Sequence, residues 1–339
     1  MKRQEHIVKR TIPELMLVPS EQRDLAWLQS SLASAIELEL ATLPPYLCAY
    51  WSIKDSTTTA ATLINSIVLQ EMLHMGLAAN MLTTIGGTPA INANIPAYPG
   101  PLPGDVRPQL TVYLAGLSKD YLNDVCMQIE YPESGPIALF KGVSYPTIGA
   151  FYDAIRNAFL LVNPTFSGKN QLTAQVGSGK DNTVFPILSL ADAEKAIQEI
   201  KEQGEGTSQS PDAVGFGGEL AHYYKFAEIY NGAALVKVKG KWQYTGDPIP
   251  FPDVYPMGRV PSGGWANPPG NVSSLLQQVN SAYQTILDGL QAAWATGSQD
   301  QLNDAIGNMF SLSGPAIQLM QIPIGGGSSY NYGPDFIPS

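Results

Sequence analysis

The chain has 339 residues, of which 44% are hydrophobic and 14% charged, and its formal net charge is −10. This length and apolar content indicate one large domain or two small ones with a sizeable core, and so acidic a chain has no electrostatic footprint for nucleic acid. No run of about 18 apolar residues and no signal-like apolar stretch occurs, so we expect no membrane span and a cytoplasmic location. The two cysteines, Cys48 and Cys126, are too few for a disulfide framework.

The first half of the chain is predicted to be helical. Apolar periodicity indicates a helix over residues 21–51, which Pro44-Pro45 should kink or interrupt, and a second helix over 58–85 that ends at Gly86-Gly87. Shorter helices are expected over about 118–131 and 147–161, with a Pro/Gly loop in between.

The second half alternates loops and helices. Residues 163–187 are typical of a loop, and Ser189 should cap a helix that stops near Gly204. The segment "GGELAHYYKFAEIYNG" is predicted to be a further helix between glycines. The remaining elements are a hairpin over 233–245, a Pro-rich loop over 247–269, helices over about 271–296 and 299–321, and an irregular surface tail.

One short motif recurs, Glu-x-x-His. It occurs as Glu71–His74 and as Glu219–His222, whereas the third histidine, His6, lies in the N-terminal segment. Residues three apart point to the same side of a helix, so each pair can share one ion. In the first instance both polar groups fall on the apolar stripe, where a lone carboxylate would be costly. A single instance is also explained by a neutral hydrogen-bonded pair, but two instances favour a shared site.

Further carboxylates lie at inward positions of other predicted helices. The apolar stripe of the first helix continues onto Glu39, and Glu37 falls nearly opposite. Glu130 follows Cys126 at i+4 spacing, whereas Glu133 lies beyond Pro132 and is expected to be solvated. Tyrosines near these positions are typical of core aromatics rather than redox groups.

The candidate ligands are thus one Glu from each of two helices and a Glu-x-x-His from each of two others: Glu39, Glu71, His74, Glu130, Glu219 and His222. This set is the ligand pattern of ferritin-like di-iron and di-manganese bundles. Carboxylates bridge and neutralise divalent cations, imidazole suits iron, and the lack of thiolates argues against zinc ribbons and iron–sulfur clusters. We therefore expect two divalent metal ions as cofactors, iron first and manganese as an alternative.

Several blocks also resemble a known family: "AIELELATLPPYLCAYWSIK", "LQEMLHMGLAANMLTTIGG", "IEYPE", "EQGEGT" and "GELAHYYKFAEI". Together they are similar to the ferritin-like domain of the iminophenyl-pyruvate dimer synthase family, whose relatives include imine-dimerising enzymes of violacein and indolocarbazole biosynthesis. The resemblance covers roughly residues 21–245. It implies a metal-carboxylate bundle with the same six ligands and oxidative chemistry on aromatic or amino-acid-derived imines.

The expected architecture is a mainly α, ferritin-like four-helix bundle with long Pro/Gly loops, a small hairpin and extra C-terminal helices. Its expected parts are an N-terminal extension (1–20), the dimetal bundle (21–245) and a C-terminal region (246–339) packed on the bundle. The leading hypothesis is a non-haem di-iron oxidase or oxygenase of secondary metabolism with a small organic substrate, either monomeric or homo-oligomeric. The alternatives are an iron- or metal-handling protein without an organic substrate, and a structural bundle that keeps a single metal.

Overall fold

The computed structural model of the chain describes residues 10–132, 147–177, 182–205, 211–212 and 219–338, so His6 and Glu133 lie outside the described residues. A short helix, α1 (Ile12–Met16), precedes two long helices, α2 (Leu25–Trp51) and α3 (Thr59–Thr84). The side chains of Asp24 and Thr58 cap α2 and α3 by accepting backbone N–H bonds. The two long helices pack against each other, as their apolar periods predict.

Helix α2 continues through Pro44-Pro45, so the predicted interruption is absent. A proline at position 45 cannot donate to the carbonyl of Ala41 four residues earlier. The hydroxyl of Tyr98 donates to that carbonyl at 2.7 Å, which replaces the missing backbone bond. Tertiary contact therefore keeps a helix that local propensity alone would break.

The helix predicted over 118–131 is divided into three parts. It consists of α4 (Lys119–Tyr121), a π-helical segment (Leu122–Cys126) and α5 (Met127–Ile129). Arg107 donates from its guanidinium to the carbonyls of Gln128 and Tyr131, both at 2.5 Å, and so holds the end of the segment. Single π-helical turns occur frequently at functional sites, and this one ends four residues before Glu130.

The middle of the chain completes the bundle. Helix α6 (Ile148–Val162) and helix α7 (Leu190–Glu205) pack on each other, and they contact α2 and α3 respectively. Between them the region predicted as loop contains a short antiparallel pair, β1 (Ala174–Gln175) and β2 (Thr183–Val184). Helix α8 (His222–Asn231) packs on α3 and α7.

Helix α8 begins three residues later than the glycine-bounded segment predicts, at His222 instead of Glu219. Leu220 forms an isolated bridge with Asp212, and Ala221 has extended backbone angles (φ −65°, ψ 159°). The backbone of this stretch therefore bonds to a neighbouring segment rather than to the next helical turn. The prediction that Glu219 and His222 share a turn of helix is wrong.

The hairpin follows directly as β3 (Ala233–Val238) and β4 (Lys241–Pro248). Its two-residue turn, Lys239-Gly240, has positive φ at both positions (50° and 80°), which is the geometry that matches the twist of paired strands. Both strands are largely half-exposed or exposed, and the hairpin lies where the sequence predicts it.

The C-terminal region is a helical pair, α9 (Gly270–Thr296) and α10 (Gln299–Leu319), with contacts to α3 and α2. The irregular tail after it is exposed over residues 325–330, as predicted, but residues 332–336 are buried, contrary to the prediction. Phe336 is 2% exposed, stacks on Trp51 at 6.2 Å and meets Tyr283 edge-on at 5.1 Å. The aromatic ring of Phe336 therefore anchors the end of the tail in the core, which the Gly- and Ser-rich composition of the tail does not indicate.

The expected mainly α class is confirmed. The domain boundaries at residues 20 and 245 stay predictions, although one hydrophobic core joins residues from α1 to the tail. Of the helices in the described ranges, none is long and apolar enough to cross a membrane.

Candidate metal centre

Five of the six predicted ligands come together in the interior. They form two triads that share one carboxylate: Glu39, Glu71 and His74 in one, and Glu71, Glu130 and His222 in the other. Within each triad one potential ligand atom per residue lies within 4.8 Å of the others. All five side chains are buried, with 6% exposure at most. The geometry is that of a paired site in which Glu71 lies between two positions.

The helical period places the first triad. Glu39 lies on the buried face of α2, and Glu71 and His74 lie one turn apart on α3, which packs on α2. Glu37 is also buried but belongs to neither triad. The second triad depends on the π-helical segment before Glu130 and on the first residue of α8, His222.

Both imidazoles present the same nitrogen to the carboxylates. His74 Nδ1 lies 3.9 Å from Glu39 Oε2, and His222 Nδ1 lies 2.8 Å from Glu71 Oε1 and 3.6 Å from Glu130 Oε2. The two rings are nearly parallel, with centroids 5.5 Å apart. The histidines therefore stand side by side along the carboxylate cluster.

The other ring nitrogen of each histidine, Nε2, forms a hydrogen bond with a glutamine side chain. His74 Nε2 lies 2.9 Å from Gln203 Oε1, and His222 Nε2 lies 3.1 Å from Gln70 Oε1. An amide oxygen accepts, so each Nε2 carries the proton and each Nδ1 keeps a lone pair facing the carboxylates. Hydrogen bonds of this kind to the outer nitrogen orient metal-binding histidines in proteins.

Lys225 fixes the Gln70 amide. Its ammonium group is 3% exposed and donates to Gln70 Oε1 at 2.9 Å, to Ser66 Oγ at 3.1 Å and to Glu219 Oε2 at 2.8 Å. Because an ammonium group cannot accept a hydrogen bond, Gln70 must turn its oxygen toward both Lys225 and His222. The lysine therefore sets the tautomer of the histidine without touching the cluster.

Hydroxyl groups hold the carboxylates in place. Tyr152 donates to Glu39 Oε1 and Tyr46 donates to Glu130 Oε1, each at 2.5 Å. Thr42 donates to Glu71 Oε2 at 2.9 Å. Each carboxylate therefore has one oxygen bonded to a hydroxyl group, and its other oxygen is available for the centre.

Burial and mutual repulsion make the cluster unfavourable as a set of bare charges. Burial raises the pKa of Glu39 and of Glu71 well above the ordinary value, and the charge of Glu71 acts on the pKa of Glu39, as that of Glu130 acts on the pKa of Glu71. Burial, together with the neighbouring His222, lowers the pKa of His74 to about 3. A positive charge placed among these carboxylates would lower their pKa values again.

These residues fit a pair of divalent cations. Among the described residues, His222 Nδ1 has no hydrogen-bond partner, although Glu71 Oε1 lies 2.8 Å away. Two such atoms this close need either a proton or a metal cation between them, and a bound cation would satisfy both. Hard carboxylate oxygens with imidazole nitrogen, and no thiolate, form the donor set that suits iron or manganese.

Glu219 is not part of the cluster. Its side chain is half-exposed and pairs with Lys225, outside both triads. The prediction that Glu219 is a ligand assumes that it lies on the same helix as His222, but α8 begins at His222. As a ligand, Glu219 stays a prediction that requires α8 to begin one turn earlier.

Sequence reasoning missed the supporting residues. Gln203 and Tyr152 reach the cluster from α7 and α6, across 129 and 113 residues of sequence, and no local pattern marks them. Lys225 carries a detectable signal, since it is a cation inside a mostly apolar helix three residues after His222. Tyr46, expected to be a core aromatic, is buried and also bonds to Glu130.

The space beside the cluster is small. It has a volume of about 30 Å³ and is lined by the carboxylates together with Ile148 and Gly149 of α6 and Lys201 and Gly204 of α7. A volume of this size holds one or two water-sized molecules. A larger apolar pocket lies elsewhere, on another face of α3.

Comparisons with known proteins agree with this architecture. A family model described as Ferritin-like matches residues 32–231, which contain all six predicted ligands. A crystal structure of a ferritin-like protein from Caulobacter vibrioides superposes with a TM-score of 0.60 at 22% identity, and covers 91% of this chain and 96% of the other. The comparison with curated proteins finds no match. With more than half of its length in the family model and a matching fold, the chain belongs to the ferritin-like family.

Proposed function

We propose that the protein is a dimetal-carboxylate oxidoreductase of the non-haem di-iron type. Glu39 and His74 would hold one ion, Glu130 and His222 the other, and Glu71 would bridge them. The observation that carries the proposal is the pair of triads sharing Glu71, with both Nδ1 lone pairs turned toward the carboxylates. Bound iron would supply oxidation chemistry with dioxygen.

The chain's own side chains support this chemistry in defined ways. The hydroxyls of Tyr152 and Tyr46 hold protons at Glu39 Oε1 and Glu130 Oε1. The apolar side chains of Leu38, Ile129 and Ile200 line the small space and exclude bulk water. A dry surrounding strengthens the attraction between the carboxylates and cations.

For the substrate we propose a small organic molecule, an aromatic amino-acid-derived imine of secondary metabolism. The block resemblance to the iminophenyl-pyruvate dimer synthase family supports this choice. Ile148 and Gly149 of α6 and Lys201 and Gly204 of α7 line the space, so we propose that the substrate approaches between these two helices.

A second candidate is a metal-handling protein without an organic substrate. The observation in its favour is the volume of about 30 Å³ beside the cluster, which admits water or dioxygen but not an aromatic ring. In this case the centre would bind and oxidise iron without reaction on a carbon compound.

Metal analysis after anaerobic loading tests the site. The native chain should retain about two equivalents of iron or manganese. Glu71→Gln should lose most of both, because Glu71 belongs to both triads. Glu194→Gln is the matched control, since this glutamate lies on α7 in a partly exposed ion pair with Arg156. Less than one equivalent in the native chain would refute the dimetal site.

Oxygen uptake separates the two candidate functions. The oxidoreductase should consume more dioxygen per iron when candidate aromatic imines are added, over repeated turnovers. The metal-handling protein should stop after one oxidation of its bound iron, with or without the organic compound.

A further inference from the structure

A second, much larger cavity lies on another face of α3. Its volume is about 520 Å³, and Met72, Met75 and Gly76 form its α3 wall. Successive helical residues are rotated by about 100°, so Met72 and Gly76 point away from Glu71, whereas Met75 lies only about 40° from Glu71 around the helix. None of the metal-centre residues lines this cavity.

Five further elements enclose the cavity. Tyr50 and Trp51 of α2 lie on one side, and Trp294 of α9 and Met309 of α10 lie on the other. The strands β1 and β2 contribute a further wall, which includes Val184. Exposed Ser56 and Phe310, the latter 80% exposed, mark the side that faces solvent.

The lining is apolar and aromatic and lacks ionisable acids and bases. Within the described ranges, no Asp, Glu, Lys, Arg or His lines the cavity. Two tryptophans, a tyrosine, a phenylalanine and three methionines provide ring faces and polarisable sulfur, both of which pack well on aromatic groups. Four polar, uncharged side chains also line the cavity, and two of them, Asn65 and Ser313, lie on α3 and α10.

We propose that this cavity is a binding site for a neutral aromatic small molecule. Its volume falls within the range of about 300–1,000 Å³ that is usual for ligand pockets. An ionised group inside it would lose its hydration without gaining a partner, which disfavours charged ligands. The site is independent of the proposed redox function, because its wall shares no residue with the metal centre.

A fluorescence titration with N-phenyl-1-naphthylamine, a neutral aromatic probe, tests the proposal. Its emission should rise saturably at one probe per chain, with a Kd of about 1–10 µM. Energy transfer from Trp51 and Trp294, both in the wall, should quench tryptophan emission over the same range. The same molecule carrying a sulfonate, 8-anilinonaphthalene-1-sulfonate, should bind at least about tenfold more weakly, because its charge would be desolvated.

Two filling variants locate the probe. Ser313→Phe on α10 and Asn65→Phe on α3 each place a ring in the cavity from opposite walls, and each should weaken binding at least about tenfold. Ser311→Phe is the matched control, because this serine lies two residues along α10 and is exposed. It should bind the probe like the native chain.

The melting temperature of each variant shows whether it folds. If one filling variant does not fold, the binding measured with the other one tests the proposal. The proposal is overturned if the probe shows no saturation, or if it binds a folded filling variant as tightly as the native chain. It is equally overturned if Ser311→Phe loses binding to the same extent, or if the sulfonated probe binds as well as the neutral one.

Discussion

Replacing Lys225 by Met tests whether a residue outside the metal centre controls which nitrogen of His222 carries the proton. Lys225 Nζ lies 2.9 Å from Gln70 Oε1, which in turn lies 3.1 Å from His222 Nε2. Without the ammonium group, nothing obliges Gln70 to present its oxygen. Its amide can turn and present NH₂, which would move the imidazole proton to Nδ1 and block the lone pair that faces Glu71.

The magnitude follows from the kind of bond that is lost. A hydrogen bond with a charged donor contributes about 1.5–3 kcal/mol. Loss of an outer partner of a metal-binding histidine lowers metal affinity by about 10- to 100-fold. The effect should be confined to the position held by His222, since Gln203 holds His74 separately. Stability should fall by about 1.5–3 kcal/mol, because Gln70 loses its charged donor although Met fills similar space.

Calorimetric titration of the metal-depleted protein with Mn²⁺ under argon provides the assay. The native isotherm should fit two high-affinity positions, and Lys225→Met should retain one and weaken the other by about 10- to 100-fold. Lys237→Met removes the same charge from the exposed hairpin and should match the native chain. Equal weakening of both positions, or no weakening at all, would refute the tautomer argument.

Three further changes test other parts of the structure. Glu219→Gln should lower metal affinity less than Glu71→Gln, because Glu219 pairs with Lys225 outside both triads; an equal loss in the same titration would show that Glu219 is a ligand. Before metal is added, the free energy of unfolding should fall as pH rises above about 6.5, by up to about 1.4 kcal/mol per pH unit for each proton retained, because the folded state holds protons on Glu39 and Glu71 that the unfolded state released at about pH 4.3. Below about 6.5 the opposite contribution of His74, whose pKa is lowered to about 3 in the folded state, offsets part of this slope. The double change of Glu39 and Glu71 to Gln should flatten this slope in melts across pH, and a slope that persists would contradict the assignment. Tyr98→Phe should reduce the free energy of unfolding by about 1–3 kcal/mol in urea, because it leaves the carbonyl of Ala41 without a donor, and an unchanged midpoint would show that the helix does not need this bond.

Long amphipathic helices could be read from the sequence because their apolar period extends over many turns. The bounds of α2 and α3 agree with the prediction within a few residues, and so do those of α6, α9 and α10. The same period identified Glu39, Glu71 and His74 as inward-facing side chains, since their direction depends only on the local helix.

Predictions failed where partners distant in sequence control the backbone. Tyr98 lies 57 residues from the carbonyl that it stabilises in α2, so the proline pair could not show that the helix continues. Asp212 pairs with Leu220 and delays the start of α8, which separates Glu219 from the turn of His222. Residues 332–336 are buried together with Phe336, although the composition of the tail is typical of surface chain.

The sequence by itself determined the mainly helical class and the chemistry of the candidate site, because helical period and ligand type are local properties. Only the tertiary structure decided how those ligands are grouped. Glu71 belongs to both triads because α2, α3 and α8 converge there, and the imidazole tautomers depend on Gln70, Gln203 and Lys225. These contacts join residues far apart in the chain, and no local pattern records which distant side chain will accept a particular proton.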